Sequence, residues 1–131
     1  MILPLRLVDL SFAVNGRGII DRVSLDLEPG PSSIILGANG AGKSVLMRLM
    51  HGLLSPTSGS VLWSDPKGEA VRLRQAMVFQ RPVMLRRSAL ANVAYALALA
   101  GVPRGVREQQ ARAALDEVGL LPLAARPARV L

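Results

Sequence analysis

Cysteine is absent from this 131-residue chain, histidine occurs once, and aromatic residues make up only 3% of it. Without cysteine, and with His51 as the single histidine, the chain can build neither a Cys/His zinc site nor a cysteine nucleophile. Long apolar runs are also missing. The longest mostly apolar stretch covers residues 89–102, is interrupted by Asn92, and is shorter than the roughly 20 residues that a membrane-spanning helix needs. Disulfide scaffolds, zinc sites and membrane spans are therefore excluded as explanations of this sequence.

The positive charge is carried by scattered arginines. Sixteen Lys plus Arg stand against nine Asp plus Glu, which gives a formal charge of +7, and only Lys43 and Lys67 are lysines. No basic run is longer than Arg86 and Arg87, and no aromatic residues are interleaved with the basic ones. Nucleic-acid-binding arms usually show one of these two features. The charge is therefore interpreted as a basic surface and not as a nucleic-acid site.

Two kinds of strand pattern occupy the chain up to residue 80. Alternating polar and apolar residues predict half-exposed antiparallel strands, whereas continuous apolar runs predict buried parallel strands. Residues 24–27 alternate, and residues 5–10 are mixed but compatible with a strand. The continuous type covers residues 33–36 and 75–80, and a shorter strand is expected at 60–63. Asn15-Gly16 is the turn expected between the first two strands.

Helical periodicity begins after a glycine-rich turn. Apolar residues at helical spacing predict a helix over residues 43–53, and two further helices are expected beyond Ser88. Val102-Pro103 separates these two, and Gly119 is the expected end of the second. The order of elements around the glycine-rich turn is therefore strand, loop, helix.

The sharpest motif is Gly-Ala-Asn-Gly-Ala-Gly-Lys-Ser at residues 37–44, a full match to G-x-x-x-x-G-K-[ST]. Glycines allow successive N–H groups to point inward and form a nest for phosphate oxygens, and the following helix adds its positive end. Lys43 is suited to bridging the β- and γ-phosphates, and the Ser44 hydroxyl is a hard ligand for Mg²⁺. The predicted phosphate-binding residues are Gly37, Ala38, Asn39, Gly40, Ala41, Gly42, Lys43, Ser44 and Val45.

Three motifs in order resemble the nucleotide-binding subunits of ABC transporters: the phosphate loop, the loop at residues 53–61, and the Q-loop glutamine Gln80 at the end of Val-Phe-Gln. The resemblance implies a P-loop α/β fold of the ABC ATPase type with its C-terminal half missing. Within that fold it implies an antiparallel β-subdomain at residues 1–31, a P-loop core at 32–87 and an incomplete helical subdomain at 88–131.

Roles for individual residues follow from the same resemblance. Gln80 is expected to coordinate Mg²⁺ together with Ser44 or to orient the attacking water, and residues 81–86 to couple the site to a membrane partner. Val14 stands on the adenine side, where family members usually carry a stacking aromatic residue, and Val45 replaces a common threonine. Both replacements are expected to loosen nucleotide binding modestly.

The function implied is binding of ATP and Mg²⁺, and ATP hydrolysis in the complete protein, to energise solute transport. The expected partners are transmembrane permease subunits, a second ATP-binding subunit in a homodimer and, indirectly, a solute-binding protein. The expected location is the cytoplasmic face of the cell membrane. Residues 43–46, 51–54 and 79–85 look most like ATPases of tungstate- or phosphate-type oxyanion importers. Two alternatives stay open, a soluble ABC-type ATPase acting on nucleic acid or ribosomes, and a non-catalytic nucleotide-binding remnant.

The end of the chain departs from the resemblance. Leu131 stands where the signature sequence is expected to start, and no apolar strand ends in paired carboxylates that could serve as the catalytic acidic site. The switch histidine is also missing. We therefore expect an N-terminal fragment that binds nucleotide weakly, does not turn over, exposes apolar faces and is marginally stable.

Overall fold

A computed structural model describes residues 2–64, 71, 74–81 and 83–130. Strands β1 (Leu5–Val14), β2 (Arg17–Leu27) and β3 (Ser58–Trp63) form an antiparallel sheet in the order β2-β1-β3. The helices whose full bounds lie within the described residues are α1 (Lys43–His51), α2 (Ala89–Leu99) and α3 (Arg104–Glu117), followed by short 3-10 turns at Leu121–Leu123 and Ala128–Val130. This confirms the predicted α/β fold class. The contacts divide the chain into two compact units, Met1–Met77 and Val78–Leu131.

A bulge in β1 explains why its sequence pattern is mixed. Leu5 and Leu7 are buried on one face, and strict alternation would then bury residue 9. Asp9 instead takes a left-handed φ of 44°, and the register of pairing shifts between Leu7 and Leu10. The extra residue reverses which face of the sheet the following side chains point to, so Leu10 is buried as well. All three leucines belong to one core, which also contains Leu46 and Leu49 of α1.

The predicted turn between the first two strands is present. Asn15 and Gly16 have φ values of 51° and 77°, and Val14 pairs with Arg17 across them. Two consecutive left-handed residues give a turn whose twist matches that of the flanking strands. The Asn-Gly pair therefore closes the β1-β2 hairpin in the way its sequence predicts.

Each helix ends or begins at a residue suited to the task. Gly52, at a φ of 79°, ends α1 two residues earlier than the periodicity predicted. The Ser88 hydroxyl accepts a hydrogen bond from the Ala91 N–H at 3.2 Å and caps α2. Gly119, at a φ of 71°, follows the end of α3 as expected. None of the described helices is both long and apolar enough to cross a bilayer.

Two predicted strands do not form. Residues 33–36 and 75–80 are not paired as strands, and Ile34, Leu36 and Val78 are 80%, 86% and 90% exposed. A buried parallel strand needs neighbouring strands to take up its N–H and C=O groups. No described residue supplies such a neighbour to either segment. The prediction of buried strands there was wrong for this chain, although the expectation of exposed apolar surface agrees with the structure.

Replacing the exposed apolar residues before the phosphate loop is expected to improve solubility without loss of stability. In Ile34→Thr/Leu36→Thr, we expect the soluble concentration to rise several-fold and the free energy of unfolding to change by less than about 0.5 kcal/mol. Sedimentation after concentration and denaturant unfolding measure the two effects. The matched control is Leu7→Thr, which removes a side chain that is only 1% exposed and should lower stability by about 3 kcal/mol. Equal stability losses in both variants would contradict the exposed placement.

Candidate phosphate-binding site

The glycine-rich loop between residue 36 and α1 adopts a conformation that requires glycine at two positions. Gly40 and Gly42 have φ values of 81° and 86°, in the left-handed region that other residues rarely occupy. Between them the Ala41 N–H donates to the Ala38 carbonyl at 3.2 Å, which closes a turn. The loop that the motif predicted is therefore present, although no strand precedes it.

Gly42 also lies against the sheet. A Cβ atom placed on it would lie 2.9 Å from Ile20 Cδ1 and 3.1 Å from the Ile19 carbonyl oxygen. Both neighbours belong to β2, so the absence of a side chain allows the start of α1 to approach that strand closely. The sequence motif assigns this glycine to phosphate binding alone. The structure gives it a second role, in fixing the loop against the β2 backbone.

Three backbone N–H groups at the start of α1 have no hydrogen-bond acceptor within the described part of the chain. The N–H groups of Lys43, Ser44 and Val45 donate to no carbonyl or side chain among the described residues. No acidic residue stands in the first turn, so the positive end of the helix dipole is not neutralised locally. Leu46 and Leu49 anchor the helix in the core of the first unit. Three free donors are thus held in place by packing.

The Lys43 ammonium is oriented by the loop that it follows. Its Nζ donates to the carbonyl oxygens of Gly37 and Ala38, each at 2.7 Å. An ammonium has three protons, so these two bonds leave one donor for a phosphate oxygen. No carboxylate in the described part of the chain pairs with Lys43. Its positive charge is therefore both positioned and uncompensated.

The residues present fit a magnesium-bound polyphosphate. Ser44 is exposed in the first turn of α1, the turn whose N–H groups are free. Hydroxyl and phosphate oxygens are ligands that Mg²⁺ accepts while it keeps several waters. Among the described residues no group of three His, Asp or Glu side chains forms a metal cage. A metal at this site would therefore take most of its ligands from the phosphates and from water.

The other predicted site residues, Gln80 and Val14, belong to other segments of the chain than the phosphate loop. Gln80 is exposed and belongs to the second unit, and it follows no strand. Val14 ends β1 and is 46% exposed. Phe12, two residues earlier, is half-buried and packs against the core of the sheet. Its ring therefore does not supply the aromatic surface that Val14 lacks. Leu131, the expected first signature residue, lies outside the described residues, as does Pro82.

The segment after Gln80 is fastened by a residue that sequence reasoning treated only as an interruption. Asn92 Oδ1 accepts from the Leu85 N–H at 3.0 Å, and Asn92 Nδ2 donates to the carbonyls of Leu85, Arg87 and Ser88 at 3.3, 3.3 and 3.0 Å. A side-chain amide carries one acceptor oxygen and two N–H donors, so it can bond to backbone N–H and C=O groups as a neighbouring strand would. The only sequence indication is a polar residue inside the apolar pattern of α2.

Residues 20–131 match a protein-family model described as ABC transporter. That range holds the phosphate loop, the Lys43 contacts and Gln80. The chain belongs to the ABC transporter family. The resemblance inferred from the phosphate loop, residues 53–61 and the Q-loop glutamine is thereby confirmed.

Curated members of the ABC transporter family are similar along most of this chain. An aliphatic sulfonates import ATP-binding protein from Mycobacterium sp. (strain MCS) is 42% identical over 109 residues, which are 82% of this chain and 41% of that protein. A taurine import ATP-binding protein from Chromobacterium violaceum is 38% identical over 120 residues, 91% of this chain and 46% of that protein. The chain thus spans less than half the length of these relatives.

The fold also agrees with solved ABC structures. The structure of cbiO1 from Clostridium perfringens, part of the ABC transporter complex cbiONQ, superposes on all of this chain with a TM-score of 0.80 at 26% identity. The match covers 56% of that chain. The fold is therefore that of an ABC ATPase.

Proposed function

We propose that this chain is the ATP-binding part of a subunit that energises solute import. The observation that carries the proposal is the cradle at residues 37–45, in which Lys43 Nζ is held 2.7 Å from two loop carbonyls beside three free N–H groups. Relatives named as import ATP-binding proteins for sulfonates, taurine and methionine support transport as the role of the complete protein.

In this proposal the backbone does most of the binding. The N–H groups of Lys43, Ser44 and Val45 receive phosphate oxygens, with the glycines at 40 and 42 allowing close approach. Lys43 keeps its hydrogen bonds to the two carbonyls, and its third N–H donates a hydrogen bond to an oxygen of the β- or γ-phosphate. In this proposal Ser44 and Gln80 would hold Mg²⁺, and the ion would offset the phosphate charge. Val45 contributes its N–H but no hydroxyl.

The adenine side is the weaker part of the proposed site. Val14 offers an exposed apolar surface at the end of β1 but no ring to stack on. Stacking of aromatic groups contributes about 1 kcal/mol beyond the area buried, and a valine loses that share. Affinity for nucleotide should therefore depend chiefly on the phosphates.

The partners and location follow from the proposed role. We infer permease subunits and a second ATP-binding subunit as partners of the complete protein, at the cytoplasmic face of the membrane. Oxyanions of the tungstate or phosphate type remain the predicted solute class, supported by the residues around Lys43 and Gln80. For the 131 residues alone we propose binding without turnover, since no apolar strand pattern in the sequence ends in paired carboxylates that could activate water.

Replacing Lys43 tests the nucleotide proposal. With Lys43→Ala, we expect the dissociation constant for Mg-ATP to rise about 100-fold, because about 3 kcal/mol of charge-assisted contact to the phosphates is lost. Isothermal titration calorimetry on the whole chain measures it. AMP, which lacks the β- and γ-phosphates, should bind the unaltered chain far more weakly than ATP. Phosphate release should be undetectable in the same preparations.

The matched control is Arg48→Ala, which removes an exposed positive charge from the last turn of the same helix. It should leave ATP affinity within about threefold of the unaltered chain. Equal losses in the two variants would indicate non-specific charge attraction and overturn the proposed site. Steady phosphate release that Lys43→Ala abolishes would overturn the proposed lack of turnover while supporting the binding site.

A further inference from the structure

An open groove in the second unit is lined by three arginines. Its volume is about 450 Å³, and its lining consists of Arg86, Arg87, Ser88, Ala125, Pro127 and Arg129. All six residues lie within Val78–Leu131, and none belongs to the phosphate loop. Among the described residues, no acidic side chain lines the groove. It is therefore a cationic surface separate from the residues to which nucleotide binding was assigned.

Backbone hydrogen bonds hold the two walls of the groove together. Ser88 and Pro127 form an antiparallel bridge, and the Ala128 N–H donates to the Arg87 carbonyl at 3.0 Å. The Ala89 N–H, at the start of α2, donates to the Arg126 carbonyl at 2.9 Å. The segment before α2 and the segment after α3 thus meet as a short two-stranded junction, and the groove is a fixed feature of that junction.

Two of the three guanidinium groups are already positioned. Arg129 Nε donates to the Met84 carbonyl at 3.1 Å, which leaves its terminal nitrogens for other acceptors. The Arg87 guanidinium lies over the ring of Tyr95, 5.4 Å from the ring centre. None of the three arginines forms a salt bridge within the described part of the chain. Part of the entropy cost of ordering them is therefore met before any ligand arrives.

The charge of the chain is concentrated in this unit. Residues 78–131 contain eight arginines and three carboxylates, which is +5 of the total +7. Of these carboxylates, Glu108 is engaged by Arg112 at 3.0 Å. The N-terminal N–H groups of α2 already have protein acceptors in Arg126, Ala124 and the Ser88 hydroxyl, so anion recognition falls to the guanidinium groups.

We propose that this groove binds an acidic segment of a partner polypeptide, one that presents at least two carboxylates. The planar guanidinium fork matches a carboxylate through two parallel hydrogen bonds. A volume of about 450 Å³ accommodates several side chains, and Ala125 and Pro127 offer apolar contact to their stems. A nucleic-acid strand is disfavoured because the groove lining has no aromatic side chain for stacking, and Arg87 already covers one face of Tyr95.

A charged peptide tests the proposal on the whole chain. The probe is an acetylated, amidated hexaglutamate labelled with fluorescein, with hexaglutamine as the neutral counterpart, and Lys43→Ala as the background to remove phosphate-loop binding. Fluorescence anisotropy should show saturable, salt-sensitive binding of hexaglutamate only. Arg86→Gln/Arg129→Gln should weaken it about tenfold, and Arg86→Lys/Arg129→Lys should give an intermediate loss because the charge remains without the fork.

The matched control removes the same charge elsewhere in the unit. Arg104→Gln/Arg112→Gln lies on α3, lines no part of the groove and should change affinity by less than about threefold. Equal weakening by both pairs would overturn the proposal. So would equal binding of hexaglutamine, or tighter groove-dependent binding of inorganic phosphate or a single-stranded oligonucleotide. None of these outcomes bears on Mg-ATP binding, which is measured separately with Lys43 present.

Discussion

Gly59→Ala is expected to destabilise the first unit strongly. Gly59 lies in β3 at a φ of 79°, and an added Cβ would press against the backbone of Val8 and Asp9 more closely than real Cβ atoms approach. These neighbours are backbone atoms of the bulge in β1 and cannot rotate away. Left-handed strain of about 1 to 2 kcal/mol and overpacking of about 2 kcal/mol add together, so we expect a loss of about 3 to 4 kcal/mol.

A second glycine provides the matched control for that loss. Gly16 has nearly the same φ, 77°, but nothing lies within 4 Å of where its Cβ would stand. Gly16→Ala should therefore cost only the conformational strain, about 1 kcal/mol. Denaturant unfolding of both variants, followed by circular dichroism, gives the comparison. Similar losses in the two variants would show that the close contact between β3 and the bulge does not cause the additional loss of stability expected for Gly59→Ala.

The phosphate loop could be predicted because its information is local. Eight consecutive residues specify the left-handed glycines, the free N–H groups and the lysine, and helical periodicity directly after them indicates where the donors point. The Lys43 contacts to Gly37 and Ala38 agree with the positioned cation that the motif implies. The close packing of Gly42 on Ile19 and Ile20 was not predictable, since it depends on a strand about 20 residues earlier.

The two apolar segments at residues 33–36 and 75–80 show where local information fails. Their composition predicts strands correctly only if neighbouring strands pair with their N–H and C=O groups. The composition of a segment does not show whether such a neighbouring strand is present. Without one, Ile34 and Val78 remain exposed and the segments stay irregular. The β1-β2 hairpin succeeded because its partner is next in sequence and the Asn15-Gly16 turn sets the pairing.

Asn92 illustrates the opposite error, a residue whose importance the sequence conceals. Asn92→Ala is expected to lower the stability of the second unit by about 2 kcal/mol. Four hydrogen bonds to Leu85, Arg87 and Ser88 are lost, and the half-buried Leu85 N–H is left without its acceptor. The better helix propensity of alanine offsets only about 0.6 kcal/mol of this. Hydrogen exchange measured by NMR should show the Leu85 amide losing protection first.

The nature of the substitution separates hydrogen bonding from packing. Asn92→Asp keeps the shape and the acceptor for Leu85 but turns three donor contacts into a carboxylate facing the carbonyls of Leu85, Arg87 and Ser88, so it should be at least as destabilising as alanine. Gln109→Ala, at an exposed amide on α3, should have no effect beyond about 0.5 kcal/mol. A stable Asn92→Asp variant with a protected Leu85 amide would mean that the acceptor alone fastens the segment between Gln80 and α2.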